Sequence, residues 1–209
     1  MEETKLFLVT FIAAFVGVLP PGLVNMSVAK TCLEKGKKSG MMLAVGAASI
    51  VFLQAMIAIL LSKYIFTHPF IKNILLRTGV VVFGLMAIYF FIVAKKKKVN
   101  SKVPDTNATR SFLKGMMISA LNIFPIPYFV ALSAAINAKG LYEYDFISMV
   151  LFSFGAALGA FSTLYLYVIC FVKIEKHTTS FSKYSNYFMA FLMLALVIVT
   201  LIRIYYPWN

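Results

Sequence analysis

Acidic residues are scarce in this chain, and charge of either sign is far below the level of a soluble domain. The 209 residues include 7 Asp and Glu against 20 Lys and Arg, so charged residues make up 13% and the net charge is +13. Soluble domains are about a quarter charged and about half apolar, whereas this chain is 61% hydrophobic with a mean hydropathy of +0.88. These values exclude a water-soluble domain, a disordered chain and a collagen.

Cysteine and catalytic groupings are also lacking. The two cysteines, Cys32 and Cys170, have no second Cys or His at ligand spacing, which excludes a disulfide framework, a zinc site and a redox pair. No Ser–His–Asp set, phosphate loop or paired carboxylate is present, so we expect no enzyme, metal site or cofactor. All seven acids lie at termini or in connections, and neither histidine lies inside a span, although proton relays and divalent-metal sites in membranes need such groups.

Six apolar stretches are long enough to cross a bilayer, which takes about 20 residues each. They lie at about 5–29, 40–62, 74–94, 113–137, 146–172 and 184–206. They predict an all-α polytopic membrane protein, a single membrane domain over residues 1–209. The first stretch is too long for a signal peptide, follows two acids and has no cleavage site after it, so we expect it to remain in the mature protein.

Basic residues cluster in three of the connections between these spans. Fourteen of the 20 Lys and Arg follow the first, third and fifth spans. By the positive-inside rule these connections face the cytoplasm, and both termini lie on the outer side of the membrane. These loops account for the net charge, so no nucleic-acid partner is expected. The run Lys95–Lys98 is interpreted first as a topology determinant, and contact with anionic membrane lipid or a partner protein is the alternative.

The polar connection at about 95–112 divides the chain into two halves of three spans, about 1–94 and 113–209. An odd number of spans gives the halves opposite orientations, as in inverted-repeat transporters. The first span of each half carries two prolines near an asparagine. These residues are Pro20, Pro21 and Asn25 in one half and Asn122, Pro125 and Pro127 in the other. We therefore predict two inverted three-helix repeats, each with a broken first helix.

The prolines predict which backbone groups each break exposes. An interior proline frees the carbonyl four residues earlier and pushes the preceding residue out of helical geometry. The carbonyls expected to be free are those of Val16, Gly17, Leu121 and Ile123, and the residues expected to be non-helical are Leu19, Pro20, Phe124 and Ile126. Unpaired groups in lipid must face protein or a watery cavity, so two matching breaks predict a central site. The alternative is two ordinary proline kinks.

The polarity of the breaks predicts what binds there. A half-helix that restarts presents N–H groups and a partial positive end, here near Gly22–Val24 and Tyr128–Val130, which suits a carboxylate. The freed carbonyls suit an ammonium group, so a zwitterion is held without a charged side chain. Gln54 either lines the same cavity or forms a helix-packing hydrogen bond. The predicted substrate-binding residues are Pro20, Pro21, Gly22, Asn25, Gln54, Asn122, Pro125, Pro127 and Tyr128.

This arrangement resembles the LysE/RhtB family of amino-acid exporters over nearly the whole chain. The segments that carry the resemblance are LPPGLVNM at 19–26 and SALNIFPIPY at 119–128, with Gly36, Gly40, Gly46 and Ser49 leading through the second span. They look like a branch of LysE-type translocators found in Bacteroidetes. Membership implies export of amino acids, often driven by an ion gradient.

The family pattern is not followed everywhere. Its Pro-Gly-Pro is here Pro21-Gly22-Leu23, and its frequent Gly-Asp in the second span falls near Ser49-Ile50, so the acid is absent. In the fourth span Asn122 is followed by proline only at position 125. A buried cationic side chain on the solute needs a carboxylate partner. We therefore expect a neutral amino acid or a similar small zwitterion, exported by alternating access.

Two other functions remain as alternatives. A cation or metal exporter of the same superfamily is the first, and the missing intramembrane acids and histidines argue against it. The second is a non-transporting membrane scaffold that recruits a partner through Lys95–Lys98. Gly155-x-x-x-Gly159 is interpreted as a helix contact, and the small-residue faces together suggest a homodimer.

Overall fold

The computed structural model describes residues 2–20, 22–67, 108–137 and 144–176 as continuous segments, with separate helical positions, alone or in adjacent pairs, between 81 and 92 and between 187 and 201. The chain forms two compact units, Met1–Tyr64 with Val103–Lys176 and Ile65–Lys102 with His177–Asn209. In the second unit the rings of Phe91 and Tyr187 meet edge to face with centroids 5.8 Å apart. Most of the predicted spans at 74–94 and 184–206, and most of the connection between the halves, lie outside the described residues.

Five helices have defined bounds, and every regular element in the described part of the chain is α-helical. They are α1 (Glu2–Val18), α2 (Leu23–Thr67), α3 (Ala108–Leu121), α4 (Pro125–Asn137) and α5 (Phe146–Lys176). Leu23–Ile65 and Phe146–Cys170 are long and apolar enough to cross a membrane, and α3 with α4, bent by 66°, form a third candidate span. The predicted class of helical membrane protein is confirmed, while the six-span repeat stays a prediction.

The long helix α2 consists of two helical segments that fold back on each other at Gly36. Gly36 has φ +82° and ψ 166°, a backbone conformation outside the helical range that glycine adopts without a steric penalty. A Cβ at Gly40 would overlap the Cys32 sulfur, although these residues would stand about 12 Å apart along a straight helix. The predicted connection between the first two spans is therefore a helical turn centred on Gly36.

Helices α1 and α5 cross in backbone contact. A Cβ at Gly159 would overlap the carbonyl oxygen of Phe11, and one at Gly155 would lie 2.9 Å from that of Phe7. One turn beyond this crossing, the Thr163 hydroxyl donates a hydrogen bond of 2.7 Å to the carbonyl of Phe15. The Gly-x-x-x-Gly pattern is thus a helix contact, as the sequence indicates.

Helices α2 and α3 cross in the same manner. A Cβ at Gly46 would overlap the carbonyl oxygen of Phe112, and a Cβ at Gly115 would overlap that of Leu43. Each glycine therefore packs directly against the backbone of the other helix. This crossing places the second segment of α2 beside the turns of α3 that contain Phe112 and Gly115.

Two buried clusters flank the end of α1. One includes Leu6, Ile59 and Phe152, and the other includes Val28, Leu43 and Leu164. Val18, the last residue of α1, packs against both clusters. The chain therefore leaves helical geometry at a residue that contacts both clusters, while Leu19, just after it, is 46% exposed.

Asp145 caps the start of α5. Its Oδ2 accepts hydrogen bonds from the N–H groups of Ile147 and Ser148, at 3.1 and 3.3 Å. Hydrogen bonds from the Ser148 side chain and from these backbone groups lower the pKa of the Asp145 carboxyl. The stabilisation is present above the ordinary aspartate pKa of about 3.9 and is lost as pH falls through the lowered value.

We expect Asp145→Ala to lower the thermal unfolding midpoint at neutral pH by a small amount, because the cap is lost. Asp145→Asn should stay close to wild type at pH 7, since asparagine caps about as well as aspartate. Its unfolding midpoint should fall less than that of wild type as pH falls through the carboxylate range, because the contribution of Asp145 to the pH dependence is removed. Melting curves of the three solubilised proteins between pH 3 and 7 test this. Equal midpoints for Asp145→Ala and wild type at pH 7 would contradict the capping role.

Candidate functional site: two helix breaks

The first break separates α1 from α2. Leu19, Pro20 and Gly22 are non-helical, and Pro21 lies outside the described residues. The N–H of Leu19 donates to the carbonyl of Val16 at 3.2 Å. The prediction that the Val16 carbonyl is free is therefore wrong, because the last turn of α1 tightens and uses it.

Side chains from two helices bind the carbonyls within this break. Asn25 Nδ2 donates to the carbonyls of Val18 and Pro20, at 2.6 and 3.2 Å. The hydroxyl of Tyr167, on α5, donates to the carbonyl of Leu19 at 2.9 Å. The successive carbonyls of Val18, Leu19 and Pro20, which have no partner within the helix, thus accept hydrogen bonds from protein side chains. Backbone groups without such partners would be costly in a membrane. Each carbonyl keeps a second lone pair.

The second break separates α3 from α4, and three predictions about it are wrong. The carbonyl of Ile123 is not free, because it accepts from the N–H of Ile126 at 3.2 Å. Ile126 is helical rather than non-helical, since α4 begins one residue earlier, at Pro125. Pro127 also lies in the first turn of this helix. Prolines are tolerated there since the first N–H groups of a helix have no intrahelical partner. The helix accordingly restarts at Pro125 and not near Tyr128.

Gln54 of α2 binds the carbonyls at the end of α3. Its Nε2 donates to the carbonyl of Ser119 at 3.1 Å and to that of Asn122 at 2.8 Å. These two bonds orient the amide, because the reversed orientation would place Oε1 against two other acceptors. Gln54 is 5% exposed, and its Oε1 is buried without a hydrogen bond from any described residue. Gln54 therefore holds the break together and leaves one buried acceptor beside it.

Tyr128 connects the two breaks. It lies in the first turn of α4, and its hydroxyl donates to the carbonyl of Ala13 on α1 at 2.7 Å. A Cβ at Gly17 would lie 2.9 Å from this hydroxyl, so the tyrosine rests on the backbone of α1 one turn before the first break. The two breaks are therefore adjacent in the first unit.

We expect Gly17→Ala to weaken this connection, because the added methyl group displaces the Tyr128 hydroxyl from Ala13 at a cost of about 1 kcal/mol. Tyr128→Phe should lose a similar amount, and adding Gly17→Ala to it should cost less than adding Gly17→Ala to wild type. Unfolding midpoints of the four proteins measure the coupling. Strict additivity would mean that Gly17 does not act through this hydroxyl.

The predicted site residues divide into three groups. Asn25, Gln54 and Tyr128 use their side chains as described, and Asn122 contributes its carbonyl. Pro20, Pro125 and Pro127 are half-buried at the breaks, and Gly22 is exposed, with no atom of the described residues within 4 Å of the position of a Cβ. Sequence reasoning missed Tyr167 and Gly17. A signal for Tyr167 exists, since it follows Gly159 by eight residues as Gln54 follows Gly46.

The polar groups at both breaks are electrically neutral: amides, phenols and backbone carbonyls. Within the described ranges, no group of three or more His, Cys, Asp and Glu is placed to hold a metal ion. An ion pair between Lys30 and Glu34, at 3.6 Å, lies two turns further along α2. What the arrangement offers a ligand is hydrogen bonding and helix-end polarity without a formal charge.

These features define a multi-pass helical membrane protein whose two interrupted helices meet around neutral polar groups. A family model described as LysE type translocator matches residues 15–203. The chain therefore belongs to the LysE type translocator family, which confirms the resemblance drawn from its motifs, and it is a membrane transporter. No curated protein and no solved structure matches the chain.

Proposed function

We propose that this protein is a secondary transporter of the bacterial inner membrane that exports a small neutral amino acid, or a similar zwitterion, by alternating access. The solute is held between the two helix breaks. Family membership supports transport, and the observation that carries the site is the pair of adjacent breaks whose carbonyls are bound by Asn25, Tyr167 and Gln54.

The start of α2 is the better carboxylate site of the two helix starts. Leu23, Val24 and Asn25 each carry an N–H that precedes the intrahelical ladder, and the positive end of the helix adds to the attraction. In α4 the corresponding turn holds Pro125 and Pro127, which have no N–H, and the N–H of Ile126 is already bonded to Ile123. The open space beside Gly22 lets a carboxylate approach the backbone.

The ammonium group is assigned to the second break. Gln54 Oε1 is a buried acceptor without a described donor, and an acceptor left in that state costs about 1–3 kcal/mol. An ammonium group that donates to Gln54 Oε1 removes this cost without any acidic side chain. A solute with both groups then links the two breaks.

The two halves are proposed to be inverted repeats, at about 1–94 and 113–209. Gly46 packs on α3 and Gln54, eight residues later, binds the break after α3. Gly159 packs on α1 and Tyr167, again eight residues later, binds the break after α1. This exchange of equivalent contacts between halves supports rocking of one half against the other.

The excess of basic residues in the connections supports placing both termini outside the cytoplasm. The small-residue faces behind the predicted homodimer are engaged within the chain, at Gly46, Gly115 and Gly159. The homodimer therefore stays a prediction with no surface assigned to it.

Efflux from cells loaded with a labelled amino-acid mixture tests the proposed function. Cells that express the chain should lose one or a few neutral amino acids faster than cells with empty vector. Asn25→Leu should abolish this difference, and Ser27→Ala, which removes only a hydroxyl bonded to its own helix at Leu23, should preserve it. If no amino acid leaves faster while the protein is inserted normally, amino-acid export is wrong; metal-sensitivity of the cells then separates a cation exporter from a scaffold.

A further inference from the structure

A groove on α2 and α5 combines two lysines with an apolar wall. Its volume is about 350 Å³, and the described residues that line it are Lys37, Lys38, Met41, Met42, Tyr165, Val168 and Ile169. Lys37 and Lys38 are exposed, as are Tyr165 and Ile169, at 42% and 52%. Among these lining residues there is no acid to neutralise the lysines.

The turn at Gly36 produces this combination. Because α2 reverses there, Lys37 and Lys38 begin its second segment, and Met41 and Met42 follow one turn later on the apolar wall. Leu43 and Ala44 on α2 belong to the same buried cluster as Tyr167 and Val168 on α5, so the two helices share a buried core beside the groove. Cationic groups therefore lie at one end of the groove and apolar side chains along the rest.

We propose that this groove binds one anionic phospholipid, with its phosphate at Lys37 and Lys38 and an acyl chain along Met41, Met42, Tyr165 and Ile169. The adjacent ammonium groups complement a phosphate, and basic pockets between membrane helices on the cytoplasmic side suit anionic headgroups. Methionine side chains adapt to an irregular chain. A soluble anion would contact only the two lysines and would make no contact with the apolar side chains of the groove.

Native mass spectrometry of the full-length purified protein tests the site, with phosphatidylglycerol, phosphatidylcholine and soluble glycerol phosphate as probes. We expect one phosphatidylglycerol to be retained in preference to phosphatidylcholine, and glycerol phosphate not to be retained. Lys37→Gln/Lys38→Gln should lose the preference by about fivefold for each lysine. Lys35→Gln/Arg110→Gln, which removes the same charge outside the groove, should keep it.

A third variant tests the acyl-chain half with both lysines present. Ile169→Trp fills the groove and should lower phosphatidylglycerol retention, and because Ile169 is exposed the protein should fold normally, as its melting midpoint will show. Three results would overturn the proposal: equal retention of the two lipids by wild type, equal losses in the two lysine double variants, or glycerol phosphate bound as well as the lipid. None of them bears on amino-acid export, which does not enter the argument.

Discussion

Valine at Gly115 is expected to separate α2 from α3 and to leave little folded protein. Any Cβ at this position overlaps the backbone carbonyl of Leu43, and a backbone group in a helix cannot rotate away as a side chain can. The cost should reach the upper end of the overpacking range, about 3 kcal/mol or more. That is a large fraction of the total stability of a typical protein, about 5–15 kcal/mol. The yield and melting midpoint of the solubilised variant measure it.

The matched control is Gly22→Ala. Gly22 lies beside the start of α2, and no atom of the described residues lies within 4 Å of its Cβ position, so the yield and midpoint should equal those of wild type. If the melting midpoint of Gly115→Val equals that of wild type, α2 and α3 do not cross in backbone contact at this glycine.

Leucine at Gln54 is expected to reduce efflux of the exported solute by at least about tenfold while the protein inserts normally. The substitution keeps the volume and apolar packing of the side chain but removes the donor to the carbonyls of Ser119 and Asn122. The Ser119 carbonyl still accepts from the N–H of Asn122 at 3.0 Å, so the carbonyl of Asn122 is the one that loses its described partner. An unsatisfied buried carbonyl costs about 1–3 kcal/mol, so the break between α3 and α4 rearranges. A tenfold change in rate corresponds to about 1.4 kcal/mol. Initial efflux rates at matched expression give the comparison.

Ser153→Ala is the control for a lost buried polar group. The Ser153 hydroxyl donates to the carbonyl of Met149 within its own helix and lies 3.9 Å from the sulfur of Met56 on α2. It bonds to no carbonyl of either break, so efflux should stay near wild type. Wild-type efflux from Gln54→Leu would remove Gln54 from the site, whereas equal losses in both variants would indicate general damage to the fold.

The prolines alone were sufficient to predict both breaks. A proline inside a helical pattern has few other outcomes, and the nearby Asn25 and Asn122 followed from their short distance in sequence. The class of helical membrane protein followed from composition. The helix breaks depend on neighbouring residues, and the class depends on composition. Neither requires knowledge of how the helices pack, so both could be predicted from the sequence.

The side chains that bind the carbonyls at the two breaks could not be predicted from the sequence. Tyr167 binds Leu19 across 148 positions of the chain, and Gln54 binds Asn122 across 68, so these contacts depend on how the helices cross. The crossings in turn depend on glycine pairs such as Gly46 with Gly115, which only a three-dimensional arrangement brings together. The errors at Val16 and Ile123 arose because helix ends tighten and use carbonyls that a simple four-residue rule leaves free.

The central claim is that the solute binds between the two breaks, and protection of a thiol at Gly22 tests it most directly. Gly22→Cys in a Cys170→Ser background places a reactive group in the open space beside α2, while the buried Cys32 stays in place. Lys5→Cys in the same background, exposed near the start of α1, is the control. The solute identified by efflux should slow alkylation of purified Gly22→Cys in a saturable manner and leave Lys5→Cys unchanged. Alkylation of Gly22→Cys at the same rate with saturating solute as without it would contradict binding at the breaks.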